Sequence, residues 1–299
     1  MFLAHQLDLN NNSWRVYPQL PNWTLTQQGG NYSLVSNVCL HQGSRLRGEF
    51  GQGDRTCPFH GWKYSIDGKP LASGNTVTCI NAGPLNKAQI HIEKNFVFDS
   101  PVELNELNFI DTANLKLVEN RIDTVNAHWQ HVINLFLDVE HIPVVHPGVY
   151  QEIGAPNVND LEWYYKENAS IQLVPRIPVN NDFNSTLLPE DLNSKYSAAW
   201  TTIYPYTMME WQPGAWFVTV CIPVNDNQTR VNVYKYRDTR YTDLNWQINE
   251  RVWETAWAQD RAQAEQLTSI NIPRANLEQQ KLHFVDWLDG TTNKCSNSQ

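Results

Sequence analysis

Cys57–Pro58–Phe59–His60–Gly61–Trp62–Lys63–Tyr64 is the second half of a two-part pattern whose first half is Cys39–Leu40–His41. Each segment offers one thiolate and one imidazole, so the two together present two sulfur and two nitrogen donors. A [2Fe-2S] cluster with two cysteines on one iron and two histidines on the other needs that set. Zinc takes two Cys and two His as well, and at this point both readings stand. Gly43, two residues after His41, and Gly61, directly after His60, permit tight backbone turns around a metal. Further on, Asp67–Gly68 lies between two strand-like runs, which is a two-residue hairpin signal.

The flanking sequence reads as short strands. Trp14–Arg15–Val16–Tyr17 stops at Pro18, and Tyr32–Ser33–Leu34–Val35 follows Gly29–Gly30–Asn31. Strand-like pieces at Gln89–Ile92 and Asn95–Asp99 close a first, all-β domain, residues 1–107, and a second domain takes 108–299.

The second domain opens on a predicted helix over 124–142. Asn134, Asp138 and His141 fall at i, i+4 and i+7, on one helical stripe. His141 and His146 on an unbroken helix would point about 140° apart. Pro143 ends the helix near His141, and a turn before Pro147–Gly148 brings His146 back beside it. Two converging imidazoles make half a metal site, and a polar stripe facing water explains the same residues. Strands are predicted over 161–175, 196–212, 215–223 and 230–237, with turns at Gln212–Pro213–Gly214 and Asn225–Asp226–Asn227 and a polar loop over Asn180–Leu192. A long amphipathic helix, Asp243–Leu267, points Asp260 at its packed side. Such a carboxylate needs a metal or a partner such as Arg251 or Arg261, while Glu250, Glu254 and Glu265 suit solvent.

Composition narrows the class. Net charge is −9 with no run of Lys or Arg, so a nucleic-acid partner is disfavoured. There is no apolar run of spanning length and no signal-peptide pattern, which predicts a cytoplasmic protein that does not engage a membrane. Five spread cysteines do not form a disulfide framework; Cys79 and Cys221 read as buried thiols, and Cys295 lies in a polar tail expected to lack order. Twelve tryptophans suggest aromatic packing or an aromatic pocket, with Trp200, Tyr204, Tyr206, Trp211 and Trp216 as candidate walls. No glycine fingerprint for a dinucleotide is present.

Cys39-x-His41 with Cys57–Tyr64 resembles the Rieske domain of ring-hydroxylating oxygenase α subunits, the terminal oxygenase components. Asn134, Asp138, His141 and His146 match the Asn-x₃-Asp-x₂-His-x₄-His motif of the same Rieske non-haem iron family. The resemblance implies an α+β chain: an all-β Rieske domain, then a helix-grip (START/Bet v 1-like) catalytic domain with an antiparallel sheet and a long C-terminal helix. It implies a [2Fe-2S] cluster on Cys39, His41, Cys57 and His60, and a mononuclear Fe(II) on His141, His146 and Asp260, a facial triad. Asp138 then accepts from His141 and from His60 of a neighbour in a head-to-tail homotrimer, with Asn134 near the iron but not ligating it. The implied partners are O₂, a small organic substrate and a separate NADH-dependent reductase, with or without a ferredoxin. Gln42 departs from the family, where many relatives have Arg, and the economical catalytic domain resembles the vanillate and dicamba demethylase-like branch. Hydroxylation of a small aromatic compound is the leading expectation. Oxidative O- or N-demethylation is a second, and a Rieske electron carrier without oxygenase activity a third.

Overall fold

The computed structural model describes the chain except residues 6–7, 18–19, 47, 72–82, 150–159, 176–194, 269, 271–273 and 297–299. The expectations for Asn180–Leu192 and for Cys79 lie outside the described residues. The chain forms two compact units, Phe2–Val102 and Glu103–Gln299. None of the described helices is long and apolar enough to cross a membrane.

The front unit consists of short strands interrupted by turn residues: β1 (Phe2–His5), β2 (Ser13–Val16), β3 (Trp23–Gln28), β4 (Asn31–Ser36), β5 (Phe50–Gln52), β6 (Arg55–Thr56), β7 (Lys63–Tyr64), β8 (Pro70–Leu71), β9 (Lys87–Ala88), β10 (His91–Glu93) and β11 (Phe96–Phe98). They pair as three small sheets, in the orders β1-β11-β10, β5-β2-β3-β4-β9 and β6-β7-β8. One feature differs from the hairpin expected at Asp67–Gly68. β7 and β8 are joined by a wider turn, in which Ser65 N–H donates to Lys69 O at 2.8 Å and Gly68 N–H donates to Ser65 O at 2.9 Å. The extra length lets Ile66 bury.

The rear unit is a seven-stranded antiparallel sheet: β12 (Leu115–Val125), β13 (Glu162–Lys166), β14 (Ala169–Pro175), β15 (Tyr196–Ile203), β16 (Thr207–Gln212), β17 (Ala215–Asn225) and β18 (Gln228–Asp238). Its order is β12-β18-β17-β16-β15-β14-β13, so the first strand pairs with the last. Helices α1 (Trp129–Leu137), α2 (Ile142–Val145), α3 (Asp243–Ala264) and α4 (Gln279–Ser296) complete it. One core cluster joins Ile133 and Leu137 of α1, Met208 and Phe217 of the sheet, Trp253 and Trp257 of α3 and Phe284 of α4. Burying such side chains contributes about 1.5–3 kcal/mol each.

Three expectations are corrected here. The helix expected over 124–142 begins at Trp129, because the preceding residues are β12. That strand has inverted polarity: Val118 and Ile122 are exposed, while Glu119, Arg121 and Asp123 face the half-buried side. The inward charges are matched on the sheet and on α3. Arg121 pairs with Glu254 at 2.5 Å, and Lys235, 1% exposed, pairs with Glu119 at 2.6 Å, with Glu250 at 3.1 Å and with Glu254. Glu250 and Glu254 therefore serve that network and not solvent alone. Second, Leu267 lies past the end of α3 and is 40% exposed. Third, the polar tail is helical to Ser296.

The turn Pro213–Gly214 seats α3. Gly214 has φ +94°, and a Cβ there would meet Asn245 Oδ1 at 1.9 Å, so only glycine fits. Asn249 Nδ2 donates to Pro213 O at 3.0 Å, and the Thr242 hydroxyl caps the helix by accepting from Asn245 N–H at 3.2 Å. These contacts fix the register of α3, and with it the position of Asp260 four turns on.

Candidate metal centres and active-site cavity

The two front loops repeat one backbone design. Cys39 N–H donates to Ser44 O and Gly43 N–H to Cys39 O, at 2.8 and 3.1 Å; Cys57 N–H donates to Trp62 O and Gly61 N–H to Cys57 O, at 2.7 and 3.1 Å. Gly43 and Gly61 both close their loops at φ +72°. Cys39 and Cys57 are buried, 2% exposed each, in a cluster with Val35, Trp62 and Tyr64, whereas His41 and His60 are exposed. The two imidazoles meet with their Nδ1 atoms 3.0 Å apart, and Trp62 stacks on His41 at 4.7 Å. Tyr64 Oη lies 3.5 Å from Cys39 Sγ. Burial pushes the Cys57 thiol up, but the N–H groups of Phe59 and His60 outweigh it and hold the thiol below its usual value. Two buried sulfurs and two facing nitrogens suit a cluster with sulfur ligands on one side and nitrogen on the other.

The rear site is built at helix ends. α1 stops at Leu137, four residues before the end expected near His141, because Asp138 turns extended and caps the next segment. Its Oδ1 accepts from Glu140 N–H at 2.9 Å and from His141 N–H at 3.3 Å. Asp138 and His141 thus do not continue Asn134's helical stripe. Pro143 instead occupies the first turn of α2, where its missing N–H costs nothing. The turn of α2 brings the ring of His146 to 5.0 Å from that of His141.

Asp260 of α3 completes the group. His141 Nε2 and His146 Nε2 lie 3.1 Å apart, and Asp260 Oδ1 is 3.2 and 2.9 Å from them. Asp260 Oδ1 nevertheless makes no hydrogen bond of acceptable geometry. Three donor atoms within 3.2 Å of one another suit a shared metal ion, and among the described residues this is the trio placed to hold one. The far ring nitrogens are held from behind. His146 Nδ1 meets Gln259 Oε1 at 2.8 Å, which keeps its Nε2 turned inward, and His141 Nδ1 lies within ion-pair distance of Asp138 Oδ1, at 3.8 Å. Arg261 pairs with Glu265 at 3.3 Å rather than with Asp260.

Charge is unevenly settled around this group. Burial alone would lower His141, but Asp138 and Asp260 outweigh it and push it up to about 9. Burial likewise opposes the charge on Asp138, but His141 and Lys281 hold its carboxyl well below the usual range, with Lys281 Nζ donating to Oδ2 at 2.9 Å. Asn134 sits in α1 with a buried amide oxygen that has no described partner, and it is not among the cavity's lining residues.

A cavity of about 610 Å³, mouth included, opens beside the trio, within the range of small-molecule sites. Of the five aromatic residues suggested as its walls, only Trp200 lines it; Trp253 and Trp257 of α3 supply the other indoles. Lys281, Gln259 and Glu210 were not legible as site residues in the sequence. The clearest signal for Glu210 is an acid amid the apolar run Met208–Met209–Glu210–Trp211. For Lys281 it is the helical spacing of Phe284, Trp287 and Leu288 just beyond it.

Residues 3–82 match the Rieske [2Fe-2S] domain. The chain carries a Rieske domain, and its homologues are Rieske oxygenase α subunits. It is 26% identical over 232 residues to putrescine 2-hydroxylase of Ralstonia nicotianae, a match covering 71% of this chain and only 62% of that protein. Its fold, the expected α+β arrangement, is similar to that of a quaternary ammonium Rieske monooxygenase, whose structure was reported for insights into carnitine oxidation and inter-subunit electron transfer. The TM-score is 0.72 at 16% identity, covering 97% of this chain and 88% of the other. Naphthalene 1,2-dioxygenase from Rhodococcus sp. gives a TM-score of 0.66 at 14% identity, covering 89% and 75%.

Proposed function

We propose that the chain is the terminal oxygenase component of a multicomponent Rieske system that hydroxylates a small organic substrate. O₂ is its co-substrate, and its electrons come from NADH through a separate reductase, with or without a ferredoxin. The observation that carries this reading is the convergence of His141 Nε2, His146 Nε2 and Asp260 Oδ1 beside a cavity, in a chain whose front domain is a Rieske domain. When bound, the [2Fe-2S] cluster supplies one-electron transfer and the Fe(II) supplies O₂ activation at positions the three ligands leave open.

The chain's own residues set the conditions. Gln259 and Asp138 orient the two imidazoles, and Lys281 holds Asp138 ionised and in place. Phe136, Trp200 and Trp257 keep water from the substrate. In a head-to-tail homotrimer, Asp138 bridges His141 and His60 of the partner subunit. The exposure of His41 and His60 supports that arrangement, since both rings are open to a docking surface. The economical catalytic domain supports a likeness to the vanillate and dicamba demethylase-like branch, and oxidative O- or N-demethylation is the second activity to assay.

The test is oxygen uptake coupled to product with a generic reductase. The wild type consumes O₂ in step with substrate, and Asp260→Ala abolishes this while keeping the front cluster's absorbance. Coupled turnover without Asp260 contradicts the proposal.

A further inference from the structure

Three carboxylates line the cavity: Asp138, Glu210 and Asp260. Two have counterparts, because Asp138 pairs with Lys281 and Asp260 sits between two imidazoles. Glu210 does not. Its Oε1 accepts the indole N–H of Trp253 at 3.0 Å, and among the described residues no Lys, Arg or His pairs with it. Glu210 is half-buried and lines the cavity. Burial pushes that carboxyl up to about 8, against the Trp253 N–H that holds it down, and the Asp260 charge adds to the rise. A buried acid without a counter-charge is costly, and a cation entering the cavity removes that cost.

The surroundings fit the same guest. Across the sheet Glu210 stands opposite Trp200 on one side and Phe217 on the other. Trp200, Trp253 and Trp257 present indoles to the cavity, and no Lys or Arg is among its described lining residues. Aromatic faces around an acid that lacks a counter-charge attract an organic cation and repel a carboxylate. A pocket for aromatic acids would need the opposite charge.

We propose that Glu210 is the specificity-determining anchor for a cationic nitrogen, so that the substrate is an organic ammonium compound whose head group docks at Glu210 while its carbon chain lies beside His141, His146 and Asp260. The inference deepens the oxygenase reading and rests on it for the chemistry, but the binding step stands by itself. Trp253 fixes the carboxylate by its N–H, and a glutamine at 210 keeps an oxygen for that bond while losing the charge.

The test is calorimetric titration of the metal-loaded full chain with two cations, putrescine and choline, beside their uncharged counterparts butanediol and dimethylbutanol. The wild type binds at least one cation about tenfold or more tightly than its neutral counterpart. Glu210→Gln erases that preference without changing neutral binding, cluster absorbance or iron content, and Glu210→Asp keeps part of it. A response to putrescine alone assigns N–H donors to the ligand, and a response to choline assigns aromatic and Coulombic contact; either supports the anchor. The proposal is overturned if the wild type does not prefer the cations, or if Glu210→Gln keeps the preference. Iron counted in the same samples separates the two readings. A full iron complement without cation preference removes only the anchor, and cation preference without the mononuclear iron removes only the oxygenase.

Discussion

The front loops and the rear trio gather metal donors by opposite means. In front, four candidate ligands lie within one short stretch, set by two equivalent turns that each close on a glycine, and the two imidazoles are left open to solvent. At the rear, His141 and His146 flank α2 while Asp260 comes from α3, His146 is 2% exposed, and Gln259 braces it from behind. A local, open site suits exchange of electrons with a partner surface, whereas a remote, enclosed one suits chemistry that must exclude water.

Substitutions at the ligands break the comparison most sharply. His146→Ala should remove the rear metal completely and turnover with it, leaving front absorbance unchanged; Cys57→Ser should do the reverse to the metals. Metal analysis and visible spectra read both. Next in size, Asp138→Ala should lower turnover by about 10–100-fold with both metals retained, because it removes a brace and not a ligand. Normal turnover in that variant would remove the bridging role. Gln259→Leu frees His146 Nδ1 and should weaken rear metal affinity by about tenfold, without effect in front, as measured by chelator competition.

The smallest effect is one of pH. In metal-free protein, His141 is pushed above the ordinary histidine value to about 9. Its protonated form then adds stability that is fully present below about pH 6.5 and is lost as pH rises through about 9. The melting temperature of metal-free wild type should fall over that interval relative to His141→Gln. Parallel profiles for the two proteins would show that the carboxylates do not hold that proton.

The same contrast explains what the sequence revealed. The front loops were legible because their donors and glycines are neighbours in the chain. His141, His146 and Asp260 were legible as candidates, yet the reason for their convergence was not. An unbroken stripe through Asp138 was expected, and the structure ends α1 at Leu137, with Asp138 capping the following turn. Strand β12 was hidden because its charges face inward, a choice that makes sense only once Glu250 and Glu254 of α3 lie opposite them. Lys281 was missed with its whole helix, whose apolar spacing is short and interrupted by Gly290 and two threonines.

Counting iron and acid-labile sulfide in anaerobically purified protein decides whether one chain holds two unlike iron sites. About three iron and about two sulfide per chain are expected, falling to about two iron in Asp260→Ala with sulfide unchanged. Two iron in the wild type would leave only an electron carrier, and zinc at the four front ligands would contradict the account outright.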